Sequence, residues 1–186
     1  FYFRIDTIML GVLASEREVG LYSVAFNLME GTFFIPTIVM AAIFPGLSQA
    51  KHFSAYFRKG VLLLTLSGIA GGSAVFLLAE WIIHLFFAAE FQSSAEILQI
   101  LAFAIPLVFW GYLMTQSLVA LDHNRIYLGI TAGGVLLNVL LNFWLIPEHG
   151  ASGAAVATVI TEALIPFSCF LMILKHQLSS SPAHGA

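Results

Sequence analysis

The stretch FYFRIDTIMLGVLASEREVGLYSVAFNLMEGTFFIPTIVMAAIFPGLSQ, Phe1–Gln49, decides the fold. Two apolar runs flank a short charged turn, Ser15–Val19, and Arg4, Asp6 and Glu30 sit within the runs. With both arms helical and Arg17 at the tip, Arg4 and Glu30 each lie thirteen residues away, about 20 Å at 1.5 Å per residue. Less the residues of the turn, both fall roughly 15 Å inside the apolar runs, near the middle of a hydrocarbon core about 30 Å thick. A charge at that depth costs at least ~2.5 kcal/mol and normally faces a protein interior or a water-filled cavity. The hairpin therefore reads as part of a polar transport pathway.

Composition carries the same reading to the whole chain. Hydrophobic residues make up 60% of the 186 residues and charged residues 9%, where a soluble domain has roughly 25% charged. Mean hydropathy is +0.95. No soluble core could hide this much apolar surface, so the chain is expected to be an all-α polytopic membrane protein, with runs near helix-spanning length rather than barrel strands. The net charge of −3 offers no basic field for nucleic acid. The single cysteine, Cys169, excludes an internal disulfide and a cysteine-rich metal site. No signal peptide is visible. Opening on Phe1 inside an apolar run, the chain reads as a piece of a longer protein.

Six spans are expected: Phe1–Ala14, Gly20–Leu47, Gly60–Phe87, Ala95–Leu121, Ile126–Ile146 and Ala151–Leu174. They form one transmembrane lobe over residues 1–176, followed by a polar cytoplasmic tail, 177–186. Short links make neighbouring helices antiparallel hairpins. Lys51, Arg58 and Lys59, then Arg125, then Lys175 all fall on one side if the spans alternate. The other side holds Arg17 with Glu16, Glu18, Glu90, Glu96 and Glu148. The basic side should be cytoplasmic. The link Ser48–Lys59 mixes aromatic and basic residues and reads either as an interfacial helix or as a basic loop. Pro36, Pro106 and Pro166 fall inside spans, where each tends to kink a helix. Gly68/Gly72 and Gly129/Gly133 are spaced for close helix packing, and Gly153 opens a smooth small-residue face.

Enzyme motifs are missing: there is no H-E-x-x-H, G-x-S-x-G or P-loop pattern. Five of the six histidines lie in links or the tail, and His84 stands four residues after Glu80 on one helix face. The intramembrane polar residues are more informative. Asn27 and Glu30 share a face of the second span, and Asn138 and Asn142 share a face of the fifth. Glu162 lies about 16 Å into the sixth. Arg4, Asp6, Glu30, Asn138 and Glu162 thus share a depth near the middle. Mutual pairing that locks helices together would explain some of them. A hydrated cavity for a polar substrate or coupling ion explains several charges at one depth better. A membrane-embedded glycosyl- or acyltransferase would need acidic or histidine clusters in a surface loop, and a non-transporting subunit would not need midplane charges.

The stretch RIDTIMLG…EVGLYSVAFNL…FIP…IFPGLSQ (Arg4–Gln49) resembles the start of the C-terminal half of polysaccharide-export flippases, members of the multidrug/oligosaccharidyl-lipid/polysaccharide exporter superfamily. LQILAFAIPLVFWGYLMTQSLVALDHNR (Leu98–Arg125) and LNVLLNFWLIPEHGASGAAVATVITE (Leu137–Glu162) are similar to later parts of the same half. The resemblance implies twelve helices in two six-helix lobes, this chain being the second lobe and the N-terminal lobe its partner in the same protein. It implies a lipid-linked oligosaccharide flipped across the cytoplasmic membrane of a prokaryote by alternating access, coupled to protons or sodium ions, with no cofactor. A drug/cation antiporter or a peptidoglycan-precursor flippase of the same superfamily is the alternative. Arg4 is then the candidate ligand of an anionic pyrophosphate, since guanidinium is always charged and forks onto phosphate oxygens. Glu30 is the candidate for proton coupling, and Asp6, Asn27, Asn138, Asn142 and Glu162 complete the candidate cavity.

The charge asymmetry makes a direct prediction. In whole cells, a cysteine introduced by Glu148→Cys should react with a membrane-impermeant thiol reagent added outside. Reaction from the cytoplasmic side alone would reverse the orientation.

Overall fold

A computed structural model describes residues 5–180, with side chains through Lys175. Among the described residues the chain is helical, with seven α-helices: α1 Ile5–Leu13, α2 Glu16–Glu30, α3 Phe34–Leu47, α4 Phe53–Phe86, α5 Ser94–Ala102, α6 Ala104–Ala120 and α7 Asn124–Ser180. Three runs are long and apolar enough to cross a membrane: Glu16–Leu47, Phe53–Phe86 and Asn124–Lys175. The pair α5 and α6, bent by 41°, makes a fourth. The protein is an all-α polytopic membrane protein.

The long run α7 doubles back on itself. Gly150 has φ 53° and ψ −134°, outside any helix. A Cβ on Gly153 would stand 2.5 Å from the Leu145 carbonyl oxygen, and one on Gly134 would stand 2.5 Å from Ile165 Cδ1. Residues eight apart in a straight helix are about 12 Å apart, so the arms 124–149 and 151–180 must lie antiparallel and in contact. The helix-to-helix order therefore follows the six expected runs, with α1 the described part of the first.

Local chemistry explains the breaks. Ser15 caps α2, its Oγ accepting the Glu18 N–H at 3.3 Å. The following Glu16 and Glu18 complement the positive end of the helix. A 3-10 turn, Gly31–Phe33, joins α2 to α3, and Pro36 is the third residue of α3. Pro106 holds the same position in α6, directly after the bend at Phe103. Proline lacks an N–H and crowds the carbonyl four residues back, so both breaks sit where the ring would otherwise strain a continuous helix. Pro166, in contrast, lies within a continuing arm. At the end of α6, Asp122 takes φ 59°. Its N–H donates to Val119 O at 3.0 Å and that of His123 to Leu118 O at 2.8 Å, a Schellman cap.

Two ends of the bundle are distinguished by what gathers there. At one, the Glu18 carboxylate accepts the Ala151 N–H at 2.7 Å, Ser94 Oγ donates to Leu21 O at 2.9 Å, and Gly20 faces the Phe91 ring. The three acidic links thus converge. At the other end lie the links that hold Lys51 and Arg125, with Gly46 pressed against the Tyr56 ring.

Several expectations need revision. The basic segment is neither a separate interfacial helix nor a loop throughout, because α4 starts at Phe53 and runs unbroken for 34 residues. Phe53 is buried there and stacks on Phe57 at 5.6 Å, while Arg58 and Lys59 face outward. Gly68 and Gly72 do pack closely: added Cβ atoms would stand 2.9 Å from Pro106 Cα and 2.8 Å from Ala102 O. Gly129 and Gly133 meet nothing within 4 Å, and it is Gly134 that takes the contact in that arm. The reason is phase, since one residue turns the helix by about 100°. His84 pairs with Gln92 (Nδ1 to Nε2, 3.0 Å) rather than with Glu80, though all three line a 420 Å³ cleft at the acidic end. Helix α7 continues to Ser180, so the first residues of the expected tail are helical.

Gly150→Ala is expected to destabilise the lobe by about 1–3 kcal/mol, since its backbone conformation excludes a Cβ and Glu18 Oε2 would lie 2.4 Å from that Cβ. Gly153→Leu should cost as much or more by forcing the α7 arms apart. Gly129→Ala should be neutral or slightly stabilising. Thermal unfolding of the full-length protein in detergent measures all three, and equal effects at 129 and 153 would contradict the packing described.

Candidate functional site

The polar residues of α1, α2 and the two arms of α7 meet at one carboxylate. Asp6 stands in the first turn of α1 and is 3% exposed. Its Oδ2 accepts the Tyr22 hydroxyl from α2 at 2.9 Å and the Thr158 hydroxyl from the second arm of α7 at 2.9 Å. Its Oδ1 accepts the Asn142 amide from the first arm. The same Asn142 Nδ2 donates to Asn138 Oδ1 at 3.0 Å, one turn away.

These positions follow from helix geometry. Asn138 and Asn142 lie four apart on one face of the first arm, and the hairpin at Gly150 brings Thr158 opposite Asn142. Both are eight residues from that glycine, about 12 Å of helix. Tyr22 lies six residues into α2, whose first turn is held to the hairpin by Glu18 and Ala151. Ala151, Ala154, Ala155 and Ala157 are fully buried and let the neighbouring backbones approach.

The cluster has more acceptors than donors. Asn142 uses both amide hydrogens and leaves its Oδ1 buried without a partner. The Thr158 hydroxyl has one proton and three oxygens in reach: Asp6 Oδ2 at 2.9 Å, Ala154 O at 3.0 Å and Tyr22 OH at 3.1 Å. A carboxylate, two amide oxygens and two hydroxyls thus converge with a single formal negative charge. Such hard oxygen donors suit an alkali cation or a hydrated proton and not a soft metal. Among the described residues no cluster of three His, Cys, Asp or Glu side chains could hold a metal ion.

The remaining candidate residues are placed differently. Glu162 is 6% exposed, one turn beyond Thr158 on the same arm, and lines a separate 290 Å³ cavity with residues of α6 and the first arm. Asn27 is exposed and Glu30 is half-buried, and neither is among Asp6's partners. Arg4 lies outside the described residues. Sequence reasoning passed over Tyr22 and Thr158. The signal for Thr158 was present: a lone hydroxyl in the alanine-rich run GAAVAT, four residues before Glu162. Tyr22 carried no such signal, because an aromatic in an apolar helix is ordinary core.

The chain is similar to known membrane proteins over most of its length. A family model described as MatE matches residues 1–144. The "Probable low-salt glycan biosynthesis flippase Agl15" of Haloferax volcanii is 27% identical over 186 residues, 97% of this chain and 38% of that protein. The "Probable flippase AglR" of the same organism is 26% identical over 171 residues, covering 88% of this chain and 36% of that protein. The "Probable multidrug resistance protein YpnP" of Bacillus subtilis is 26% identical over 184 residues, covering 94% and 41%. The chain therefore spans about two fifths of the length of these relatives. No solved structure matches. With the family model covering residues 1–144, well over half of the chain, and with at least three helices long and apolar enough to cross a membrane, the chain belongs to the MatE family.

Proposed function

We propose that the chain is one lobe of a cation-coupled membrane exporter whose cargo is a lipid-linked oligosaccharide. One observation carries the coupling: the buried, acceptor-rich cluster around Asp6, drawn from four helical segments that a conformational change would move relative to one another. A small cation there neutralises the carboxylate and ties the segments together; its departure leaves a buried charge, which is costly. Loading and release would thus bias the bundle between two packings, and a ligand shifts such an equilibrium only through its different affinity for the two states.

The cargo reading leans on two relatives whose printed names contain "flippase", one of them in glycan biosynthesis. The relative named for multidrug resistance supports a drug/cation antiporter as the second reading. Under the first reading a second lobe completes the pathway, membrane lipids surround it, and the protein sits in the cytoplasmic membrane of a prokaryote. Arg4, two residues before Asp6, then binds the pyrophosphate of the lipid carrier.

In the full-length protein reconstituted in liposomes, Asp6→Asn should abolish the dependence of export on a sodium or proton gradient while the protein stays folded. Removing a buried hydrogen-bonded charge should also change thermal stability, by about 1–3 kcal/mol. Gradient-dependent export by that variant would reject the coupling role.

A second experiment addresses cargo. Arg4→Ala should abolish oligosaccharide-lipid export at normal protein abundance, with partial rescue by Arg4→Lys. Full export by the Arg4→Ala, Glu30→Gln double variant would remove Arg4 as a cargo ligand, and sustained export of organic cations without lipid cargo would favour the antiporter.

A further inference from the structure

Glu162 is a buried acid that the Asp6 cluster does not use. It is 6% exposed and has no hydrogen-bonding partner among the described residues. A carboxyl group so buried normally has one. What it faces is a 290 Å³ cavity between α6 and the two arms of α7. Thr131 Oγ1, on the same cavity, is likewise buried without a partner. From α6 the lining includes Gly111, Tyr112 and Gln116. Tyr112 and Gln116 also line a second cavity, of 330 Å³, against Thr37 and Phe44 of α3. The two spaces therefore adjoin across one turn of α6. A Cβ on Gly111 would meet nothing within 4 Å, whereas Gly68 and Gly72 are filled by a neighbouring helix. Glycine weakens a helix interior, and here the room it leaves belongs to the cavity.

The surface that bears these cavities differs from the lobe's other sides. Leu62, Leu66, Leu77 and Trp81 are exposed on α4, and Leu136 and Phe143 on the first arm of α7. Those sides suit lipid. A hydrocarbon phase offers no partner to Gln116, Thr131 or Glu162, so the side that holds them faces water or protein. A tyrosine near a helix end, such as Tyr127, is ordinary at a membrane interface; an unpartnered buried carboxyl group is not. The linings run along α3 from Thr37 to Pro45 and along α6 from Val108 to Gln116, toward the end of the bundle that holds Lys51 and Arg125. Loop charge predicts that end to be cytoplasmic, the side from which an exporter takes on cargo.

We propose that Glu162, Gln116 and Tyr112 form a binding site for an uncharged sugar ring of the cargo. The inference rests on the reading of that cargo as a lipid-linked oligosaccharide. A sugar ring carries hydroxyls around its rim and C–H bonds on its two faces. Glu162 accepts from the hydroxyls, and the Gln116 amide both donates and accepts. The Tyr112 ring, set against Phe33 with centroids 6.5 Å apart, offers an apolar surface with a polar tip. Neither cavity is lined by lysine, arginine or histidine, so phosphate oxygens find no cationic partner there. The site reads the sugar, and the pyrophosphate is held elsewhere. A site built to bond hydroxyls rejects a ligand that lacks them, because its own polar groups would stay unpaired.

The test measures binding to the full-length protein in detergent. The probes are farnesyl pyrophosphate and the same compound bearing one glucose, galactose, mannose or N-acetylglucosamine. At least one sugar-bearing probe should bind about tenfold tighter than farnesyl pyrophosphate, which is what one or two net hydrogen bonds supply. Glu162→Met removes the acceptor and Gln116→Ala removes the amide. Each should cut that margin to about twofold or less. Gly111→Leu should do the same by filling the cavity, where its Cβ meets no atom within 4 Å. All three variants should bind farnesyl pyrophosphate as the parent protein does, which reports that they are folded.

Equal affinity for all the probes, or a full margin kept by any two of the variants, overturns the sugar site. So does loss of tetraphenylphosphonium binding in Gly111→Leu with the sugar margin intact, which makes the cavity a site for organic cations. Export of oligosaccharide-lipid from liposomes decides the cargo reading separately. If the parent protein exports it and the variants keep the margin, only this site has failed. If the parent protein does not export it, the cargo reading has failed.

Discussion

A carboxylate cannot sit bare in an apolar bundle. Asp6 is almost fully enclosed, and its two oxygens are answered by Tyr22, Thr158 and Asn142, each from a different helical segment. Hydrogen bonds to a charged group are worth roughly 1.5–3 kcal/mol each, and leaving one unmade costs at least as much. In a medium without water no solvent can substitute. The requirement to surround this one group therefore constrains α1, α2 and both arms of α7 together, in depth and in rotation.

The rest of the lobe supports that constraint. Gly150 permits the reversal that sets Asn142 and Thr158 level, and Glu18 clamps the reversal to the start of α2 through the Ala151 N–H. This is a carboxylate on the first free amide of a helix, where the helix dipole favours negative charge. Ser15 and Glu18 have the spacing of a capping box, but the Glu18 side chain is spent on α7 instead. On the far side of α6, Gly68 and Gly72 let α4 approach the bend around Phe103 and Pro106, where proline leaves the Ala102 carbonyl without its usual donor. The bend and the glycines are matched surfaces of one contact.

Function in such a lobe depends on contacts strong enough to define a state and few enough to exchange. The Asp6 cluster satisfies the carboxylate but leaves Asn142 Oδ1 without a donor and shares one Thr158 proton among several oxygens. That partial satisfaction is the feature on which the proposed cation coupling rests, since most buried polar atoms in folded proteins are paired. Partial satisfaction recurs nearby, where Glu162 and Thr131 face a cavity instead of each other's partners.

The sequence by itself determined the class and the order of the runs, because hydropathy and loop charge are local properties that survive without coordinates. It also singled out Asp6, Asn138 and Glu162 as residues expected at one depth, since that expectation needs only a count of residues along a helix. It did not determine which of them meet. Glu30 was expected at that depth and is not among Asp6's partners, and Gly129 and Gly133 had the right spacing on the wrong side of the arm. Rotation about a helix axis and the pairing of non-neighbouring helices depend on contacts made across the whole bundle. Only the tertiary structure therefore decided that Tyr22 and Thr158 complete the Asp6 site, and that Glu162 opens onto a cavity beside it.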